Sequence, residues 1–345
     1  MRWVVPERRP FVGAPVRSKP AGRAGAATGR ALPAPQNAAV TPVDRLRSRM
    51  LEVLSGQPSG IPDWVRELAT GEDAGFFAED GPVWTVHRDV ATLVAGPRAL
   101  LMQALHPGAM AGVHDWSRYR EDPFGRLNGT IRWITTVTFG STGQARAVSA
   151  RVGRLHERVR GTYSGGGGAQ MPYSAADPQL LSWVHLAFTD SFLRTHELFG
   201  SRPIPGGADA YVRDWAIAGE LMGVPDPPRS VGELDARLDD VWASGVLRAD
   251  ERVRDAVRFI RRPPLPRILR PTYPLLFAGS VAALPERART MLGLRPAGRV
   301  GVAGTGAMLA ATAALLGPAA AVGQARARLA ALPDAERTPR TIGEH

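Results

Sequence analysis

DPQLLSWVHLAFTDSFLRTHELF, Asp177 to Phe199, decides the fold class. Asp177 supplies an N-cap oxygen and Pro178 fits the first helical position, where its missing N–H costs nothing. Leu181, Val184 and Phe188 then recur at helical spacing over a run far too long for a strand. Outward from it, the same period marks Val90 to Leu105, Phe124 to Phe139 and Gln144 to Arg160 upstream. Downstream it marks Asp209 to Met222, Val231 to Ala243, Ala249 to Arg261, Thr272 to Leu284 and Glu286 to Leu292. Shorter helical segments start near Thr41-Pro42-Val43-Asp44 and at Pro62 to Leu68, the second leading through Phe76-Phe77 to Pro82-Val83-Trp84-Thr85-Val86-His87. No segment alternates as a strand would, so the expectation is an all-α bundle. The four-glycine run Gly165 to Gly168 offers no side chain to hold it and is expected to be a loose loop.

Length and composition bound the rest. The chain has 345 residues, 44% of them apolar, enough to bury one large core. Residues 1–41 are rich in Pro, Gly, Ala and Arg without a period and are expected to be a disordered tail. The helical domain is expected over 42–335, with 336–345 a second disordered end. Net charge is +11, but Lys19 is the only lysine, a bias that a GC-rich genome writes into its codons. Ten basic side chains against Glu7 and Asp44 put +8 in the first fifty residues, leaving +3 on the remainder, so no nucleic acid partner is expected. The chain has no cysteine, which excludes disulfides, thiolate catalysis, iron–sulfur clusters and thiolate-ligated haem. Arg17, Lys19 and Arg23 interrupt the place where an export signal would need apolar residues, so a cytoplasmic location is expected, with export or membrane association as the alternative. Val300 to Val322 carries no charge over a length that could cross a bilayer. Its Ala and Gly content gives little apolar drive, and a buried C-terminal helix is expected there.

Two stretches concentrate the chemistry. HPGAMAGVHDWSRYREDPFGRLNGT (His106 to Thr130) and LHERVRGTYSGGGGAQMPYSAADPQLLSWVH (Leu155 to His185) hold four of the seven histidines. No G-x-S-x-G elbow, no paired E-x-x-H and no HExxH is present, which argues against serine hydrolysis, a di-iron bundle and a zincin. Single-histidine ligation of a large apolar cofactor inside helices survives, and haem is the first candidate. His156 stands between Val152 and Val159 on the apolar stripe, as His185 does among Leu181, Val184 and Phe188. Position alone leaves each of them equally readable as a core-edge histidine bonded to a carbonyl. Arg126 and Thr130, four apart, share one helix face, and Arg126 could meet a propionate or simply Asp122.

Gly96-Pro97-Arg98, Gln103, His106-Pro107, His114, Asp122-Pro123, Arg126, Thr130, His156, Val159-Arg160-Gly161, Tyr173, Asp177-Pro178 and Trp183-Val184-His185 are similar in order and spacing to a known catalytic domain. It is the one shared by MpaB-type oxygenases and latex-clearing (rubber oxygenase) proteins. The resemblance covers about residues 84–245, and Gly223-Val224-Pro225 resembles a downstream landmark. It implies a globin-like multi-helix single domain binding haem b, with His156 as the iron ligand. Arg126 and Thr130 would stand beside the haem as catalytic and cofactor-binding residues, and His106 and His185 would line the site. Gly129 stands where latex-clearing proteins carry a lysine that approaches the iron. A small apolar, unsaturated isoprenoid or lipid-like substrate is therefore expected with dioxygen and a redox partner of unknown identity. A non-catalytic haem- or lipid-binding helical protein is the alternative.

Overall fold

In the computed structural model, the described residues are 41–55, 57, 60–117, 123–165 and 168–343, and side chains 53–55 and 123–127 lie outside the description. The long helix read from Asp177 is there, α8 (Pro178–Phe199), with the Asp177 carboxylate accepting from the N–H of Gln179 at 2.7 Å and of Leu180 at 3.4 Å. It is buried almost all round, as a central helix must be, and its hydroxyls return to its own carbonyls. Thr189, Ser191 and Thr195 each donate one turn back, so their polarity is satisfied without a partner helix.

Upstream of it lie α1 (Pro42–Ser55), α2 (Asp63–Arg66), α3 (Pro82–His87), α4 (Thr92–Ala104), α5 (Pro107–Trp116), α6 (Pro123–Phe139) and α7 (Thr142–His156). Downstream follow α9 (Gly207–Leu221), α10 (Val231–Ala243), α11 (Glu251–Arg261), α12 (Tyr273–Ala282), α13 (Glu286–Met291), α14 (Arg299–Leu316) and α15 (Ala320–Ala331). α4 lies along α8 at the centre, with α9, α10, α5 and α3 around α8 and α11 and α12 on α4. The core joins Trp84, Leu101, Met102, Trp183, Leu193, Tyr211 and Trp215, all at most 2% exposed. The molecule is a mostly helical single domain, as the periodicity implies.

Local signals explain where helices stop and start. Gly140-Ser141 turns α6 into α7, and Ser141 with Gln144 forms a reciprocal capping box. Gly223, at φ 81°, ends α9, with the Val224 N–H donating to the Gly219 carbonyl and the Gly223 N–H to that of Glu220. His106 caps α5 through Nδ1, which accepts from the Gly108 N–H at 3.2 Å.

Four expectations need correction. Two strands exist, β1 (Arg160–Ser164) and β2 (Gln170–Ser174), an antiparallel hairpin pairing Gly161 with Tyr173. It is closed at the glycine run, where the Gly165 N–H donates to the Ala169 carbonyl, while residues 166 and 167 lie outside the description. Pro107 is the first residue of a further helix, α5, which is not among those marked by period. Val300 to Val322 is not a buried helix: α14 ends at Leu316, Gly317 adopts φ 67°, and only Thr305 and Leu309 of its 18 residues are buried. The chain after residue 335 does not simply trail off. Over 336–343 the Glu336 carbonyl accepts from Ala74, the Arg340 N–H donates to Gly75, and the Ile342 carbonyl accepts from Arg146. Of the expected tail, 1–41, residues 1–40 lie outside the described residues.

Candidate functional site

α6 and α7 form an antiparallel helical hairpin whose register is fixed by the Trp133 indole N–H donating to Ser149 Oγ at 3.0 Å. One helical turn away from that contact, Thr130 on α6 stands opposite Val152 and Gly153 on α7. A further turn brings the backbone position of Arg126 level with His156 at the end of α7. The sequence-predicted trio of Arg126, Thr130 and His156 is therefore brought to one end of one helix pair. Thr130 is half-buried. The Arg126 side chain, and Asp122 as its possible neighbour, lie outside the described residues.

His156 is mostly buried, and that desolvation holds its pKa below the ordinary histidine value, so the imidazole is neutral at pH 7. Its Nδ1 is shielded from solvent and has no hydrogen-bond partner. A buried imidazole nitrogen without a partner is costly, by about 1–3 kcal/mol, and uncommon. The expected carbonyl contact of a plain core-edge histidine is thus missing at that atom. One helical turn before His156, a methyl group built on Gly153 would meet no atom within 4 Å.

Past His156 the chain is bolted to α5. Val159 leaves the helix and packs with Tyr173, Ala111 and Leu180 in a small separate apolar cluster. The Ala175 N–H donates to the Val159 carbonyl, and the Tyr173 hydroxyl donates to Asp115 Oδ2 at 2.9 Å. Burial, then Asp115, raises the Tyr173 pKa to about 12, so the phenol stays a donor. Asp115 also meets His114 Nδ1 at 3.0 Å. This Tyr173–Asp115–His114 group was not anticipated as a unit, because its members sit 58 residues apart and only the unrecognised hairpin joins them.

The other two predicted histidines lie in different surroundings. His106 caps α5 and packs beside Trp183, with ring centroids 6.3 Å apart. Burial first, and then Arg248, lowers its pKa to about 4. His185 points from α8 to α9, where its ring would lie about 3 Å from a methyl group on Gly219. Its Nε2 is 3.5 Å from Thr189 Oγ1, and burial takes its pKa to about 4. A fully buried histidine outside the predicted set, His87, is held by Thr138 at 2.7 Å and Tyr211 at 3.1 Å. Each of these three has a partner of its own: Gly108 and Trp183 for His106, Thr189 and Gly219 for His185, and Thr138 and Tyr211 for His87. Among the described residues no three His, Asp or Glu side chains converge to hold an ion. The donor chemistry present suits a metal that arrives with most of its own ligands and needs one neutral imidazole from the protein.

Gly96-Pro97-Arg98 serves the interior. Arg98 is 1% exposed and donates to Asp190 Oδ2 at 2.6 Å, Ser191 Oγ at 2.7 Å and the Ala283 carbonyl at 2.9 Å, tying α4 to α8 and α12.

Comparison with known proteins follows the same residues. The family described as ER-bound oxygenase mpaB/B'/rubber oxygenase, catalytic domain, matches residues 84–321. The match starts at Trp84, as the resemblance does, and runs on past residue 245 through α14. Neither the curated proteins nor the solved structures gave a match. The matched span includes the α6–α7 pair, the hairpin and the central helices, and the chain belongs to the mpaB/rubber oxygenase catalytic-domain family.

Proposed function

We propose that this oxygenase domain works with haem b, that His156 would supply the imidazole that holds its iron, and that it oxidises a small apolar, unsaturated isoprenoid or lipid-like molecule with dioxygen. The observation that carries the reading is the buried His156 Nδ1 without a partner, on an imidazole that burial keeps neutral. A neutral ring is the ligating form, and Gly153, one turn before it on α7, carries no side chain that would crowd a flat group there. Bound haem would supply the redox chemistry. The chain's own tasks are to orient the substrate, exclude water and keep His156 aligned through the Val159 and Tyr173 anchorage. Arg126 and Thr130 are proposed to flank the group from α6. Gly129 stands where the resembling latex-clearing proteins carry a lysine, so no second strong protein ligand is proposed from that position. An external electron donor is proposed as partner, its identity open.

The test is spectroscopic. Purified protein should show a Soret band and a b-type pyridine haemochrome, high-spin at rest and able to bind carbon monoxide when reduced. His156→Ala should lose the haem or regain it only with added imidazole, whereas His185→Ala should keep it. Retention in the first and loss in the second would overturn the assignment. A colourless protein that takes up no haem would overturn the cofactor.

A further inference from the structure

The charge along this fold is segregated. Residues 256–333 carry eleven arginines and one acidic residue, Glu286, although residues 51–345 together amount to only +3. Codon bias would raise arginine everywhere and would not strip one quarter of the chain of carboxylates. The segment holds α12, α13, α14 and α15. α12 and α14 pack antiparallel: Ala278 lies against Gly301, Leu275 against Gly304, and Thr305 Oγ1 donates to the Leu275 carbonyl at 2.7 Å.

The outer side of α14 is apolar and uncovered. Val300, Ala303, Ala307, Ala310, Ala311 and Ala314 are all exposed, and their spacing makes one continuous helical stripe. Val300 is 87% exposed. Arginines bracket the pair at both ends. Arg261, Arg262, Arg267 and Arg270 precede α12, and the antiparallel packing carries them toward the C-terminal end of α14; Arg295 and Arg299 lie at the opposite end. All six are exposed, and among the described residues none forms an ion pair, although exposed arginines elsewhere on this molecule do.

We infer that α14, with α12 and the arginine-rich segment 261–270, docks flat on an anionic phospholipid surface. An apolar stripe of alanines gives modest partitioning by itself, and flanking cations that reach lipid phosphates supply the rest. A spanning arrangement would strip α14 from α12 and break the Thr305 contact. A second copy of the chain would bring like-charged flanks together. The inference goes beyond the proposed haem chemistry and stands without it.

Co-sedimentation of the full chain with vesicles tests this. Binding to mixed phosphatidylcholine–phosphatidylglycerol vesicles at about 0.1 M salt should exceed binding to phosphatidylcholine alone by about tenfold and fall at high salt. The triple variants Val300→Asp/Ala307→Asp/Ala311→Asp and Arg261→Glu/Arg262→Glu/Arg267→Glu should each lose about tenfold in binding while keeping the wild-type melting temperature. The arginine-rich first fifty residues would also be drawn to such vesicles, so a local probe is needed. Because the chain has no cysteine, Val300→Cys takes a single polarity-sensitive fluorophore, as does Leu198→Cys on α8. Mixed vesicles should blue-shift the label at 300 and leave that at 198 unchanged. Sedimentation without a shift at 300, no sedimentation, or a concentration-dependent dimer removed by the aspartates in place of lipid binding would each overturn the inference.

Discussion

Two buried arginines do different work. Arg328 is 1% exposed and, among the described residues, forms no salt bridge; it donates to the carbonyls of Leu68, Asp73, Ala74 and Phe139, at 2.7 to 3.3 Å. Phe139 closes α6, so a cation there also faces the negative end of that helix. Arg98 instead pairs with Asp190, whose side chain is only 6% exposed and which also meets Arg194 at 3.3 Å. Removing one partner of a buried pair strands the other charge, whereas replacing both with apolar groups does not. Asp190→Ala should therefore lower stability by about 3–5 kcal/mol in urea denaturation. Arg98→Met/Asp190→Leu should recover most of the loss. A single variant within about 1 kcal/mol of wild type would mean that water reaches Arg98 and that the pair is not sealed.

At the scale of elements, the helices were legible and the hairpin was not. Asp177-Pro178 with the apolar period fixed α8 to the residue, and period alone placed α10 at Val231 to Ala243, where the structure adds a Ser230 cap on the Glu233 N–H. β1 and β2 are five residues each, mostly exposed, with Pro172 inside and glycines between them, so neither alternation nor strand propensity marks them. Their register comes from a tertiary contact, Tyr173 lying over Gly161 and reaching Asp115, that no local pattern encodes. α14 failed for the opposite reason: its apolar composition is plain, but burial depends on what packs against it. In the site, the two helices that carry Arg126 with Thr130 and His156 were legible, though not that they pack as a pair. The immediate partners of His106 and His185 were not, since spacing along a helix does not say which neighbour that face meets. The hairpin makes a prediction. A methyl group on Gly161 would stand 2.7 Å from the Tyr173 hydroxyl oxygen and 2.8 Å from the ring. Gly161→Ala should displace Tyr173, break its bond to Asp115 and loosen the segment after His156. Hydrogen exchange at residues 157–175 should rise by about tenfold or more while α4 and α8 stay protected. Unchanged exchange there would show that the hairpin can shift as a body without losing its anchor.

For the molecule as a whole, the buried histidines set a limit on the acid side. Desolvation, then the nearby His196, holds His87 at about 3, while burial is the first cause that takes His106 and His185 to about 4. In the unfolded chain each would titrate near 6.5. Between these values the unfolded state binds protons that the folded state refuses, so stability is full above about pH 6.5 and falls as pH drops through that window. The slope contributed by each group approaches about 1.4 kcal/mol per pH unit, and His185 alone accounts for about 3 kcal/mol by pH 4. Asp73 and Asp115 act lower down. Both have pKa values held below the ordinary carboxylate range despite the opposing cost of burial, Asp73 by bonds from Thr142 and Asp115 by bonds with His114 and Tyr173. Their stabilisation is present above about pH 4 and is lost only as pH falls below it. Two acid phases are therefore expected in urea midpoints followed from pH 7 to pH 3. The first should flatten in His185→Gln, which cannot take up the proton, while the second stays in place. A His185→Gln profile parallel to wild type through the upper window would show that this ring is charged or hydrated in the folded protein.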